Sequence, residues 1–174
     1  MASTVPFVVF PTAPILCGVL LVRSRLYGRL QILADRIWAG ALGGLIATLV
    51  YDAVRPPLVT AFGLTFNPYR AMPFFGSLMT GLETTEPLAI GLGWAYHFWN
   101  GISFGMMFAL LRPQGGVIAG IVWALFLQGM MMLVYPSFLQ VRLSDPGFLL
   151  SGIVGHGFWG AVLGYGIKRW GPRA

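Results

Sequence analysis

Four stretches of this chain, residues 37–54, 87–111, 115–135 and 147–167, contain a single Asp, Glu, Lys or Arg between them, Asp52. Each is long enough, or nearly so, to cross ~30 Å of hydrocarbon as a helix rising ~1.5 Å per residue. A fifth apolar stretch, 5–22, carries Pro6, Pro11 and Pro14 near its start. Those prolines could leave only Thr12–Val22 helical, so a four-span chain is the runner-up to five spans. Only 9% of the 174 residues are charged and 57% are hydrophobic, with a mean hydropathy of +0.77. Soluble domains carry about 25% charged residues. An ordinary cytosolic enzyme, a disordered chain and a soluble nucleic-acid binder are therefore excluded. The expected class is all-α, a polytopic transmembrane helical bundle of about five spans embedded in a lipid bilayer.

The net charge of +6 sits between the apolar stretches, which is a topology signal rather than a nucleic-acid footprint. With Met1 outside, eight basic residues fall on the inner side and three, Arg55, Arg70 and Arg142, on the outer. The four-span variant moves only the N-terminus. Either way the C-terminus is expected in the cytoplasm. Residues 1–22 lack a positive start and a small-residue cleavage site, and are read as retained. The lone Cys17 rules out an intramolecular disulfide and any cysteine-based metal site.

The chain divides into a first segment, 1–36, and two helical hairpins, 37–111 and 112–174. Within 24–36, Leu26, Leu30 and Leu33 share one helical face and arginines another. That pattern suits an interfacial amphipathic helix or a continuation of a neighbouring span. Residues 55–86 form the long outer loop. With Pro56, Pro57, Phe62, Phe66, Phe74 and Phe75 it is too apolar to float in water. It is expected to lie on the membrane surface or dip in as a lid.

The hairpins share a pattern. Gly93-x3-His97-x3-Gly101-x3-Gly105 matches Gly152-x3-His156-x3-Gly160-x3-Gly164, and Gly40-x3-Gly44 parallels Gly116-x3-Gly120. Eight residues beyond Gly44 and Gly120 stand Asp52 and Gln128. Trp99 and Trp159 follow the two histidines. Both hairpins start inside, so they read as parallel repeats about an axis near the membrane normal. Glycines four apart trace a groove into which a neighbouring helix or a flat ligand can approach.

Asp52, His97, Gln128 and His156 thus fall near mid-depth, where a carboxylate costs on the order of 2.5–3.5 kcal/mol and needs a partner. Asn100, Tyr51, Tyr96 and Thr48 could complete a hydrogen-bonded network. Three functions fit. The group could pass an ion, proton or small solute. His97 and His156 could be axial ligands to a haem or a chlorophyll-type pigment. His97, His156 and Asp52 could hold a metal. The plain alternative is a polar core that sets helix register. Asp52-x-x-Arg55 reads as a structural ion pair at the outer end of its span. Met106, Met107 and Met130–Met132 read as packing filler, the Trp residues as core, and Glu83 and Glu86 as favourable charges at a helix start. No catalytic residue is identified: no nucleophile–base arrangement, phosphate loop or metalloprotease helix occurs.

The segment Gly40-x2-Gly43-Gly44-x2-Ala47-Thr48-x3-Asp52, followed by the helix bearing His97, resembles small bacterial inner-membrane proteins of the YagU-like outline. The resemblance covers about residues 37–111. It implies a bacterial helical bundle in the inner membrane. The first segment and the 55–86 loop lie outside that pattern and suggest docking to a protein partner or a second copy. The expectation is a non-catalytic membrane protein whose polar site passes a small solute or ion, or an accessory subunit of a membrane complex. The alternative is a haem- or pigment-binding subunit.

Overall fold

The structure, a computed structural model, describes residues 18–20, 30–134, 142 and 144–171. Most of the expected first span, with Pro6, Pro11, Pro14 and Cys17, lies outside the described residues, as do 24–29 of the amphipathic segment. Five helices organise the rest: α1 Leu30–Ala61, α2 Ala71–Thr80, α3 Pro87–Leu111, α4 Val117–Val134 and α5 Pro146–Trp170. Among the described residues there is no strand.

Local chemistry explains most boundaries. α3 and α5 open on Pro87 and Pro146 at the first turn, where a missing N–H costs nothing. Asp145 caps α5 by accepting from the amides of Gly147 (2.8 Å) and Phe148 (3.1 Å). Glu86 stands at the cap position of α3 without a side-chain capping bond. Gly115 and Gly116 turn the chain between α3 and α4 with φ of 59° and 114°, which a β-carbon would resist.

α1 differs most from expectation. It starts at Leu30, so the second half of the amphipathic segment is a continuation of this helix. It does not stop at residue 54, but runs through Pro56 and Pro57 to Ala61. The expected loop 55–86 is therefore helical at its start and again in α2.

Helix neighbours follow the glycines. α1 packs on α3 and α5, α4 on α5, and α2 on α3. A β-carbon at Gly40 would lie 2.6 Å from Met106 Cα, and one at Gly44 would collide with the Gly101 carbonyl. Gly120, Gly160 and Gly164 exclude side chains between α4 and α5 in the same way. Gly76 and Gly93 let α2 lie directly against α3. The apolar core runs from Ala39, Phe108, Ala109, Leu163 and Ile167, near the α3–α4 turn, to Leu127 and Trp159 further along the bundle.

The exterior is apolar as well. Ile118 and Leu133 are each 80% exposed, and Trp38 is 75% exposed. Gln31–Ala61, Val117–Val134 and Pro146–Trp170 are long and apolar enough to cross a membrane. α3 has the length, but Tyr96, His97 and Asn100 dilute its apolar character.

Candidate functional site

The half of the bundle away from the α3–α4 turn holds an ionic cluster, and its anchor is α1. Pro56 has no N–H, so the carbonyl of Asp52 loses its usual i+4 donor. Tyr69, in the loop before α2, replaces that donor: its hydroxyl donates to the Asp52 carbonyl at 2.9 Å. Arg55 Nη1 donates to the Pro68 carbonyl, so two bonds strap the loop onto the helix. The amide of Tyr69 donates to Asn67 Oδ1 at 2.9 Å, which holds the turn.

The Asp52 carboxylate has two partners. Arg55 Nη2 donates to Oδ1 at 2.6 Å. His97 Nε2 donates across from α3 to Oδ2 at 2.9 Å and Oδ1 at 3.1 Å. A carboxylate only accepts, so His97 carries its proton on Nε2. The Arg55 guanidinium also lies 3.9 Å from the Tyr51 ring centre, a cation–π contact. Asp52 and Arg55 neutralise one another, which is the condition for burying both.

His156 takes a different role. Its Nδ1 donates to the Gly152 carbonyl at 2.8 Å, so the neutral ring keeps its lone pair on Nε2. Tyr51 stands beside both histidines, its ring 5.9 Å from His97 and 4.9 Å from His156. Thr48 donates to the Gly44 carbonyl and accepts from Trp159 Nε1 at 3.1 Å, tying α1 to α5.

Behind the cluster lies a cavity of about 130 Å³. At ~30 Å³ per water it has room for about four waters or one small solute. Its polar lining includes Thr48, Tyr51, Asn100, Gln128, Ser151 and His156, with Arg55 and His97 at the cluster and the exposed Arg70. Met72 and Phe75 of α2, with Phe66 and Pro68 of the loop, cover one side. Asn100 Oδ1 is buried with no partner among the described residues. Gln128 is 5% exposed and lies over Gly152.

Of the five residues singled out in the sequence, His97, Asn100, Gln128 and His156 line this one cavity. Asp52 stands just behind it. Arg55 is only 5% exposed and lines the cavity, rather than sitting at a helix end in the outer connection. The signal was its spacing: three residues from Asp52, it shares Asp52's face. Tyr69 and Pro68 carried no such signal. Tyr96 packs on Phe75 of α2. Trp159 is buried and bonded, whereas Trp99 is 43% exposed, because they follow their histidines by three and two residues. No group of three His, Cys, Asp or Glu able to hold a metal forms among the described residues, so His97, His156 and Asp52 do not make the joint site the sequence allowed. Compared with protein-family models, curated proteins and solved structures, the chain finds no match.

Proposed function

We propose that this chain is a multi-pass protein of the bacterial inner membrane that binds a small uncharged polar solute inside its bundle and passes it across the bilayer. The observation that carries this reading is the convergence of Asn100, Gln128, Ser151 and His156 on one buried cavity. Neutral amides, a hydroxyl and an imidazole lone pair offer donors and acceptors together. The nearby Asp52 carboxylate is already neutralised by Arg55, which favours an uncharged solute over a cation. The glycine-packed half beyond the cavity favours a carrier that alternates rather than an open pore. The apolar exterior suits lipid.

The hairpins α1–α3 and α4–α5 act as parallel repeats. In support, Gly44 meets Gly101 and Gly120 meets Gly160. With 5–22 as a further span, Trp170 ends in the cytoplasm by the positive-inside rule. The haem or pigment alternative draws little from the geometry. About 130 Å³ is well below the ~300–1,000 Å³ of sites for larger ligands, and His97 Nε2 is engaged by Asp52.

The test is uptake into liposomes containing the purified full chain, with glycerol and urea as probes. At least one probe should enter several-fold faster than into empty liposomes. Gln128→Leu and Asn100→Leu should each bring the rate back toward the empty-liposome value. Uptake of both probes at the empty-liposome rate by folded wild-type protein would remove the carrier reading and leave the accessory-subunit role.

A further inference from the structure

We infer that the groove between α3 and α4, at the end of the bundle away from the polar cavity, is a binding site for an anionic phospholipid. Three observations meet there. α3 and α4 are joined by a short turn, yet neither is the other's main packing partner; the pairs are α1 with α3 and α4 with α5. The gap between them is a groove of about 1200 Å³. None of the described helices fills it.

The groove is amphipathic along its length. Its mouth carries Arg112, at the end of α3, and Lys168 and Arg169, in the last turn of α5. No carboxylate lines it among the described residues. Three cations therefore face it without a counter-ion among the described residues. Below them its wall is apolar: Leu111, Val122 and Phe126 are 60%, 63% and 56% exposed. From Val117 to Phe126 that wall runs for ~14 Å at 1.5 Å per residue, the direction an acyl chain takes into the bilayer.

Trp123 is the third observation. Its ring is part of the wall, and its buried indole N–H has no acceptor among the described residues. Because that N–H is covered by the protein, a glycerol-ester carbonyl reaches it only when the Trp123 ring turns toward the groove. Basic clusters between membrane helices bind anionic headgroups in this manner, with the chain held in the apolar groove below. A second helix of this or another chain would cover the apolar wall and leave the three cations unmatched, so charge complementarity selects the lipid.

The experiment uses the full chain purified in mild detergent, with bound lipid counted by native mass spectrometry. The probes are phosphatidylglycerol and phosphatidylcholine of identical acyl chains. Each cation near the headgroup contributes about fivefold, so three give a preference for phosphatidylglycerol on the order of 100-fold. In the triple variant Arg112→Gln/Lys168→Gln/Arg169→Gln the preference should fall to within about threefold. All three side chains are exposed. An unchanged melting temperature in phosphatidylcholine micelles would show that the variant is folded. A photoactivatable phosphatidylglycerol provides an independent measurement, and its label should fall on residues 117–126. Equal retention of the two lipids by the wild type, or an undiminished preference in the triple variant, would overturn the site. So would displacement of the lipid by millimolar inorganic phosphate, or a label mapping to another face.

Discussion

Asp52 enters the bundle with Arg55 and His97 both in contact, and its charge is more costly to remove than to keep. The Asp52→Asn change leaves the Arg55 guanidinium buried, 6% exposed at the side chain, opposite a neutral amide. Breaking a buried pair from one side costs about 3–5 kcal/mol. Replacing both ends with uncharged groups removes that imbalance. We expect Asp52→Asn to destabilise the protein by about 3–5 kcal/mol, and Asp52→Asn/Arg55→Met to regain at least half of the loss. Reversible unfolding in mixed micelles measures both. Simple additivity of the two single changes would contradict the pairing. His97 belongs to the same unit, since its proton faces the same carboxylate. His156 does not: its ring is set by a carbonyl of its own helix.

At the scale of the element, α1 is a helix that continues past two prolines because another segment supplies what the first of them removes. Pro56 deprives the Asp52 carbonyl of its amide donor, and Tyr69 restores one from outside the helix. The two residues are thus coupled through a single carbonyl oxygen. In the wild type, Tyr69→Phe should cost about 1–3 kcal/mol, as a buried acceptor loses its only strong donor. In a Pro56→Ala background the new amide takes over, and the same change should cost less than about 0.5 kcal/mol, below the worth of a typical hydrogen bond. Equal costs in the two backgrounds, read by the same unfolding assay, would mean that Tyr69 acts through something other than this carbonyl. The strap also explains the lid. The Arg55 and Tyr69 bonds hold the loop before α2 down, and α2 settles onto α3 where Gly76 and Gly93 leave backbone exposed.

Across the whole molecule, apolar surface faces outward and the polar groups converge in one half. The three cations Arg112, Lys168 and Arg169 occupy the other half. Under the proposed membrane topology, that axial asymmetry orients the bundle. Cations next to apolar spans remain on the cytoplasmic side, so a green fluorescent protein fused after Ala174 should fold and fluoresce in bacterial cells. An alkaline phosphatase fused at the same place should be inactive. Activity of the phosphatase fusion together with a dark fluorescent fusion would reverse the orientation and place the lipid groove in the opposite leaflet.

Some of this was legible in the chain as written. Continuous apolar runs and first-turn prolines mark α3 and α5, and 87–111 coincides with α3. The glycine ridges mark which faces meet, because a missing side chain is a local property that a neighbour can use. Similar depth permitted the convergence of His97, Asn100, Gln128 and His156 but did not require it. Other features depended on partners far along the chain. Nothing near Pro56 tells that Tyr69, in a loop 13 residues on, will satisfy the carbonyl it frees. Nothing near His97 tells that Asp52, 45 residues away, accepts a hydrogen bond from its Nε2–H. Helical periodicity determines which side chains share a face. Which of them touch, and which are left open to a ligand, is decided by the packing angle and spacing of whole helices, and that is a property of the assembled bundle alone.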